Sequence, residues 1–521
     1  MKKEILFLIL IVSGFSTMSQ ERFFEFLPGW RNHIVIPNDS GYISYGLGSL
    51  EFSQHFFQFN SLSLQGMIDS SWIFSIDTAT STSSHGYPNS VLPFDNSNYI
   101  SGLAVGEIGG KVFGTLIEFD QQFMDTIRTS VYNLSIDTRM HIVIKNNENN
   151  LIVGGEQELS FANYFPFLYE MDLDGNIIWS KSYSCGNNCD LIPYHIQKAS
   201  DNGYFFTCKE SHDLGSGNYS EKTAIIKTDS LGNEEYRLHP GNPDLFTVAG
   251  WVLPTDDGNF ITAYSDPNTI TDNLPQNNPN KTIWINKFDI NGNEIFNISL
   301  LDYLPKISGI GFKYFIKQML ITSDGNILIV GYKTTAEDFG FMLKITQQGV
   351  PLWFRFISPP QAEGNDAGAE WTKILGITPT ADGGYIMAGE YFSSPGNLFP
   401  DGIQTAIAVK VDEFGCLDPG CQIGDDINEL TKANLGLQVY PNPANEIVNI
   451  SVGENVKVKQ VRIYEVMCRV VLVQDTYQSP QPPPPRGSSI SLDVSGLVPG
   501  MYLLEVETKD GYREVKRLVI E

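Results

Sequence analysis

Met319-Leu320-Ile321-Thr322-Ser323-Asp324-Gly325-Asn326-Ile327-Leu328-Ile329-Val330 is two apolar runs hinged on Asp-Gly. Both hinge residues tolerate the positive φ of a tight hairpin, so the stretch reads as two antiparallel strands. The same turn recurs near Gly41, Asn98, Asn150, Gly203, Gly258, Gly325 and Gly383. After each comes a variable polar stretch and a third, alternating run, as in Ala224-Ile225-Ile226-Lys227-Thr228-Asp229. A second turn follows near Gly66, Phe123, Gly175, Gly232, Gly292, Gly349 and Gly415, then a fourth run with an aromatic, as in Gly175-Asn176-Ile177-Ile178-Trp179. Seven copies of a unit of roughly 57 residues, each with four short strands, predict a seven-bladed β-propeller.

The seventh unit stops early: Cys416-Leu417-Asp418-Pro419-Gly420-Cys421 stands where a fourth strand is due. Phe23-Phe24-Glu25-Phe26-Leu27 precedes the first unit and has no partner of its own. Residues 22–27 are therefore expected to complete the last blade beside strands near 377–412, removing two open sheet edges.

The chain divides into a leader (1–19), the propeller (20–424), an acidic linker (425–438) and a small terminal domain (439–521). Lys2 and Lys3 before the apolar run Ile5 to Val12 have the form of a secretory signal, with cleavage expected before Gln20. No run of about 20 apolar residues offers a transmembrane helix, so a secreted or outer-membrane surface location is expected. Net charge is −26, and the last 91 residues, with ten acids and ten bases, contribute none of it. So acidic a surface repels phosphate backbones and argues against nucleic-acid binding.

Cys185 and Cys189 flank a three-residue turn and Cys416 and Cys421 a four-residue one, so each pair is expected to form a local disulfide in an exported chain. A zinc site of Cys185, Cys189, His195 and His212 is the alternative, at a spacing that matches no standard finger. Cys208, inside an apolar run, reads as a buried small hydrophobe.

No residue pattern nominates a reaction. The seven histidines are scattered, and neither a Gly-x-Ser-x-Gly elbow nor a phosphate-binding Gly-rich loop is present. No cofactor is expected. The turns Asp172-Leu173-Asp174-Gly175-Asn176 and Asp289-Ile290-Asn291-Gly292-Asn293-Glu294 raise structural calcium as the one alternative, but the same letters build a tight turn and neither run has EF-hand spacing. The polar stretches Glu156–Pro166, Glu210–Lys222, Ser265–Lys281 and Glu390–Ala406 are read as loops on one rim. Their aromatics, Tyr164, Phe165, Tyr219, Tyr391, Phe392 and Phe399, are the candidate binding residues.

The repeats resemble secreted bacterial units of the form T-x-D-G-G-Y-I-x-x-G followed by K-x-D-x-x-G-N-x-x-W, clearest at Thr380 to Gly389, and through them the quinoprotein and kelch-like propellers. The vicinal cysteine pair of methanol dehydrogenase-like quinoproteins is lacking. From Val439 a different pattern begins, of short alternating strands between Pro/Gly turns, which predicts a small immunoglobulin-like β-sandwich. Tyr440-Pro441-Asn442-Pro443, then Leu497-x-x-Gly500-x-Tyr502, then the basic strand with Lys516 and Arg517 occur in order. This module resembles the type A C-terminal sorting domain of the Bacteroidota type IX (Por) secretion system, with two departures, Cys468 and the polyproline stretch Pro482 to Pro485. The resemblance implies the type IX machinery as a partner and removal of the module on export. The expected function is a secreted or surface, non-catalytic propeller that binds an extracellular glycan or protein. A secreted hydrolase or lyase acting on polysaccharide or peptide is the alternative.

Overall fold

The computed structural model describes residues 21–51, 54–74, 79–83, 90–94, 98–107, 112–120, 126–132, 136–160, 163–186, 189–215, 218–241, 248–265, 282–300, 303–304, 313–334, 339–359, 370–394, 403–417, 437–452, 457–465, 470–475, 489–508 and 513–520. The leader, Phe399, Cys421, Cys468, Pro482 to Pro485 and most of the linker lie outside them. Every named element is a β-strand, so the chain is all-β, and no described helix is long and apolar enough to cross a membrane.

Seven sheets succeed one another over residues 23–411. Sheets 1, 3, 4, 5 and 6 (31–74, 137–182, 189–238, 248–299, 313–357) are four-stranded antiparallel meanders in sequence order. In sheet 2 (79–132) the first strand is split: Ala79–Ser83 and Val91–Phe94 both pair with Asn98–Glu107. Sheet 7 takes three strands from 370–411 and its fourth from Phe23–Leu27, antiparallel to Ile403–Val411 with Phe23 opposite Lys410 and Leu27 opposite Ala406. The segment expected to complete the last sheet does so.

The aromatic of each fourth strand explains how one sheet meets the next. The turn that follows the third strand needs a positive φ, met by glycine at Gly66 (φ 87), Gly232 (φ 74) and Gly415 (φ 74) among others. The neighbouring sheet uses the space that the missing side chain leaves. A Cβ on Gly232 would lie 2.7 Å from the ring of Trp179 in the preceding sheet, and one on Gly415 2.9 Å from Trp353. Tyr132 stands in the same relation to Gly175, Tyr236 to Gly292, and Ile298 with Phe296 to Gly349. A Cβ on Gly66 would lie 2.5 Å from the ring of Phe23, so the N-terminal strand contacts sheet 1 as the fourth strands of sheets 2 to 6 contact their successors.

The core follows this arrangement: it is a set of interfaces, one between each adjacent pair of sheets. Trp251, Ile283, Tyr314 and Phe341 pack between sheets 5 and 6, and Leu328, Met342, Ile374 and Tyr391 between sheets 6 and 7. Phe23, Leu27, Val35, Tyr42 and Ile386 pack between sheets 7 and 1. The first strands of sheets 3, 4, 5, 6, 7 and 1 touch one another in that order.

A repeated ion pair locks the hairpins. A lysine near the end of the third strand reaches the aspartate of the first turn: Lys227 to Asp201 at 2.7 Å, Lys287 to Asp257 at 2.6 Å, Lys344 to Asp324 at 2.7 Å and Lys410 to Asp382 at 2.9 Å. The lysine side chains are at most 9% exposed, so each depends on its carboxylate. The Lys and Asp of the repeat pattern are thus two halves of one contact.

The terminal residues form a three-stranded sheet (Gln438–Tyr440, Ile447–Ser451, Ser489–Asp493) and a four-stranded one (Val458–Glu465, Val470–Asp475, Gly500–Thr508, Arg513–Ile520). Val448, Ile450 and Leu492 of the first share a core with Val461, Ile463, Leu504 and Leu518 of the second.

Two of the expected rim loops are strand. Leu151–Ser160 pairs with Asn163–Met171, and Tyr204–Gly215 with Asn218–Thr228, so only 161–162 and 216–217 separate the partners. Polar residues do not end a ladder when each faces a cross-strand neighbour, as Glu158 faces Tyr164 and Gln157 faces Phe165. In the other two stretches, 266–281 and 395–402 lie outside the described residues.

Candidate functional site

In six of the seven sheets the first strand slips register at the same place, always with four residues remaining before its end. The slips fall before Ile34–Pro37, Ile142–Lys145, His195–Lys198, Trp251–Pro254, Gln318–Ile321 and Gly376–Pro379. In sheet 2 the first strand is interrupted between Ser83 and Val91. A β-bulge leaves a residue outside the ladder and re-aims its side chain. The residues so released are His33, His141, Tyr194, Lys317 and Leu375, with Ala249 and Gly250 in sheet 5. Polar groups recurring in one column of apolar strands, where the first strands converge, mark this level as a candidate site.

Two surfaces lie on either side of the bulges. Toward the first turns, a cavity of about 630 Å³ is lined by His195, Trp251, Gln318 and Met319 among others from sheets 4, 5 and 6, with Lys198 the one charged residue among the described lining. His195 stacks on Trp251 at 3.6 Å, and burial brings its pKa down to about 3, so it is neutral and its Nε2 donates to the Val252 carbonyl at 3.2 Å. Among the described residues, none lining this cavity offers a carboxylate for general acid or base work.

Toward the opposite mouth, charge gathers from sheets 1, 6 and 7. Glu390 forms an ion pair with Arg31 Nε at 3.1 Å and accepts a hydrogen bond from Lys373 Nζ at 3.0 Å. Lys373 Nζ lies 5.4 Å from the ring centre of Tyr332 and 5.5 Å from that of Trp371, and Lys317 Nζ lies 5.6 Å from Tyr332. These rings belong to cross-strand stacks: Tyr332 on Phe315 at 4.9 Å and Trp371 on Phe392 at 4.6 Å. Burial first, then the charges of Arg31 and Lys373, bring the Lys317 ammonium down to about 8 against the opposing pull of Glu390. Burial alone brings Lys333, in the same sheet, down to about 8.

Sheets 3 and 4 carry the mixed-charge half of the mouth. Arg139 reaches Glu158 at 3.2 Å and Glu156 at 3.7 Å, and its guanidinium lies over Tyr164 at 5.5 Å. Glu210 accepts from His212 at 2.6 Å and His239 at 2.9 Å. Burial would raise its pKa, but the hydrogen bonds from His239 and His212 outweigh this and bring it to about 2. Burial, reinforced by Glu221 and Glu156, raises Tyr194 well above the ordinary tyrosine range.

The candidate rim aromatics separate on inspection. Tyr164 and Phe165 are half-buried on the hairpin of sheet 3, and Phe392 stacks at the mouth. Tyr391 is fully buried in the core between sheets 6 and 7, because strand alternation turns it opposite to Phe392, so it offers no face to a ligand. Tyr219 lies on the strand Asn218–Thr228. The sequence reading missed Arg31, Lys317, Lys373, Tyr332 and Trp371. Aligning the repeats on the first turn would have exposed Lys317 as a charge in the column that holds His33, His141 and Tyr194 in other units.

Cys185 and Cys189 are joined as a disulfide with Cα atoms 5.7 Å apart. Cys416 is also disulfide-bonded, and Cys421, its expected partner, lies outside the described residues. Cys208 is a buried free thiol whose pKa burial pushes up. The alternative zinc set does not assemble: His195 is held on Trp251 at the cavity, while Cys189 has His212 at 3.7 Å and Glu210 nearby. In the acidic turns the carboxylates are engaged locally, Asp172 by the amide and side chain of Asn176 and Asp289 by those of Asn293.

In the terminal module the motif residues have structural partners. Asn442 Oδ1 accepts from the Val519 amide at 2.8 Å, and Ala444 N donates to the Val519 carbonyl at 2.8 Å, so the segment after Tyr440 docks on the final strand that also carries Lys516 and Arg517. Pro441 and Pro443 are exposed in this segment, and Tyr440 is 47% exposed. Tyr502 is buried with its hydroxyl donating to the Val498 carbonyl at 2.7 Å, and Leu497 packs on the same core. A methyl on Gly500 would meet only ordinary contacts, and nothing in the packing explains this glycine.

Residues 438–521 match the secretion system C-terminal sorting domain, and the terminal module is such a domain. No curated protein matches the chain. Among solved structures, the chain is similar to the periplasmic gluconolactonase of Pseudomonas aeruginosa at 10% identity and a TM-score of 0.41, over 71% of this chain and 96% of that one. It is similar to the β-propeller domain of the trilobed protease from Pyrococcus furiosus at 10% identity and 0.36, over 72% and 97%. A protein of unknown function from Dyadobacter fermentans gives 9% and 0.38, over 62% and 93%. Likenesses this distant leave the chemistry of the site to its own residues.

Proposed function

We propose that this chain is a secreted or cell-surface binding protein: a closed seven-bladed propeller, exported by the type IX secretion machinery through its terminal module, that holds an extracellular ligand at one mouth without transforming it. Closure is supported by Phe23, which meets Gly66 as the fourth strands of sheets 2 to 6 meet the next sheet. The observation that carries the binding reading is the convergence of Arg31, Lys317 and Lys373 with the Tyr332 and Trp371 stacks, from three successive sheets, at one mouth of the molecule. Aromatic faces and convergent polar groups are the means of recognition that a rigid scaffold offers a ligand.

The test is an array of extracellular glycans and proteins probed with the full chain and with its Trp371→Ala form. Ligands retained by the first and lost by the second support the reading. Equal retention, or conversion of a bound ligand into smaller products, sinks it.

A further inference from the structure

Among the described residues released by the bulges, Lys317 is the only lysine, arginine or carboxylate. Among the described residues no hydrogen bond or ion pair reaches its ammonium, which lies 5.6 Å from the ring centre of Tyr332. Glu390 is already shared by Arg31 and Lys373. On the side of the mouth formed by sheets 1, 6 and 7, three cations meet one carboxylate, a local surplus of two positive charges, while Glu156, Glu158 and Glu210 stand on the side formed by sheets 3 and 4. The Lys317 side chain is partly buried, and this burial together with the charges of Arg31 and Lys373 brings its pKa down to about 8. Like charges gathered at a partly buried site repel one another, and an incoming anion relieves the repulsion.

We propose that the mouth formed by sheets 1, 6 and 7 binds an acidic saccharide, its carboxylate seated on Lys317 and Lys373 and its sugar face against Trp371. This rests on the binding reading above. A saccharide fits better than an extended acidic peptide because the bulge before Gln318 interrupts the strand edge that a peptide would pair with, leaving recognition to side chains. A bare phosphate would use the lysines but not the Trp371–Phe392 stack. A long polyanion would meet the acidic remainder of the surface.

The test is calorimetric titration of the full chain near pH 6.5. The probes are trigalacturonate and 3′-sialyllactose, their uncharged counterparts galactotriose and lactose, inorganic phosphate, and a Glu-rich peptide. At least one acidic sugar should bind about tenfold or more tightly than its uncharged counterpart, phosphate and the peptide. Lys317→Met should weaken it about 10- to 100-fold, the worth of one charge-assisted contact, while Lys317→Arg keeps it within about threefold. Lys317→Met should melt no lower than the parent, since it removes a partly buried cation repelled by Arg31 and Lys373. That measurement separates lost recognition from lost fold. Binding of neither acidic sugar, equal binding of the uncharged sugars, phosphate or the peptide, or indifference to Lys317→Met overturns the inference. If another array ligand still binds and depends on Trp371, the broader binding reading survives. A blank array ends both.

Discussion

Leu27→Ala should destabilise the whole seven-sheet region, although the residue lies near the N-terminus and far in sequence from everything it touches. Leu27 is 1% exposed, packed with Val35, Tyr42, Ile386 and Ala406, and its carbonyl accepts from Thr405 Oγ1 at 2.7 Å. Truncating a fully buried leucine costs about 2–5 kcal/mol. Unfolding some 400 residues at about 2.1 cal/mol/K each carries an entropy near 0.8 kcal/mol/K, so the melting temperature should fall by roughly 2–6 °C. The control is Ile178→Ala on a fourth strand, where the side chain is 54% exposed and the expected loss is under about 0.5 kcal/mol. Differential scanning calorimetry of the mature protein reads both variants. Because Leu27 bridges the first and last sheets, the main transition itself should move, with no new low-temperature transition. If Leu27→Ala melts with the Ile178→Ala control, the N-terminal strand does not close sheet 7 and the interface between sheets 7 and 1 is wrong.

Gly232→Ala should lower stability more than an exposed turn substitution does, since it places a methyl 2.7 Å from Trp179 at a φ of 74; melting unchanged to within about 1 °C would refute the aromatic-on-glycine account. The lysine–aspartate pairs predict an acid limb. Burial alone would raise the Asp324 carboxyl, but hydrogen bonds from Lys344, Thr322 and Asn326 more than reverse this and hold it below the ordinary aspartate range, as similar contacts hold Asp257. A depressed folded-state pKa means that the unfolded chain binds more protons below about pH 4, so stability is full above that value and falls as the pH drops. Urea midpoints from pH 6 to 2 should therefore decline less steeply for Asp324→Asn, and an unchanged slope contradicts the assignment. Lys317 supplies the opposite sign. With its folded pKa near 8, below the ordinary lysine value, its burial penalty is relieved as pH rises from about 8 to 10.5, so stability gains there while affinity for an acidic sugar falls. Arg31, Lys373 and Glu390 face it, and binding that stays constant from pH 7 to 10 would remove Lys317 from the site. Truncation before residue 436 should leave a folded seven-sheet region that is not secreted, as followed by cell fractionation and immunoblotting; secretion at parental levels refutes the sorting role.

Local chemistry was legible from the start because it depends on near neighbours. Asp-Gly and Asn-Gly turns between β-branched runs fix hairpins within a few residues, and their period of roughly 57 residues sets the succession of sheets. The unpartnered Phe23 to Leu27 run and the truncated seventh unit implied each other by simple counting. The motif residues Tyr440 to Pro443 and Tyr502 marked the sorting module because their spacing is itself the signal. Polar stretches misled: Glu156 to Pro166 and Glu210 to Lys222 are strand for most of their length, since a charged residue extends a ladder whenever its cross-strand neighbour accepts it.

What tertiary structure alone decided is which residues of different units face one another. Lys317, Lys373, Glu390 and Arg31 lie on three sheets, with Arg31 more than 280 positions from Lys317, and no spacing rule links them. Their meeting depends on the bulge that turns Lys317 out of its ladder and on the strand from the N-terminus that holds sheet 7 against sheet 1. The same limit misplaced Tyr391, whose direction relative to Phe392 is set by strand alternation against a core the sequence does not display. Pairing within a hairpin is written in the chain, whereas a charge surplus arises from side chains that only packing brings together.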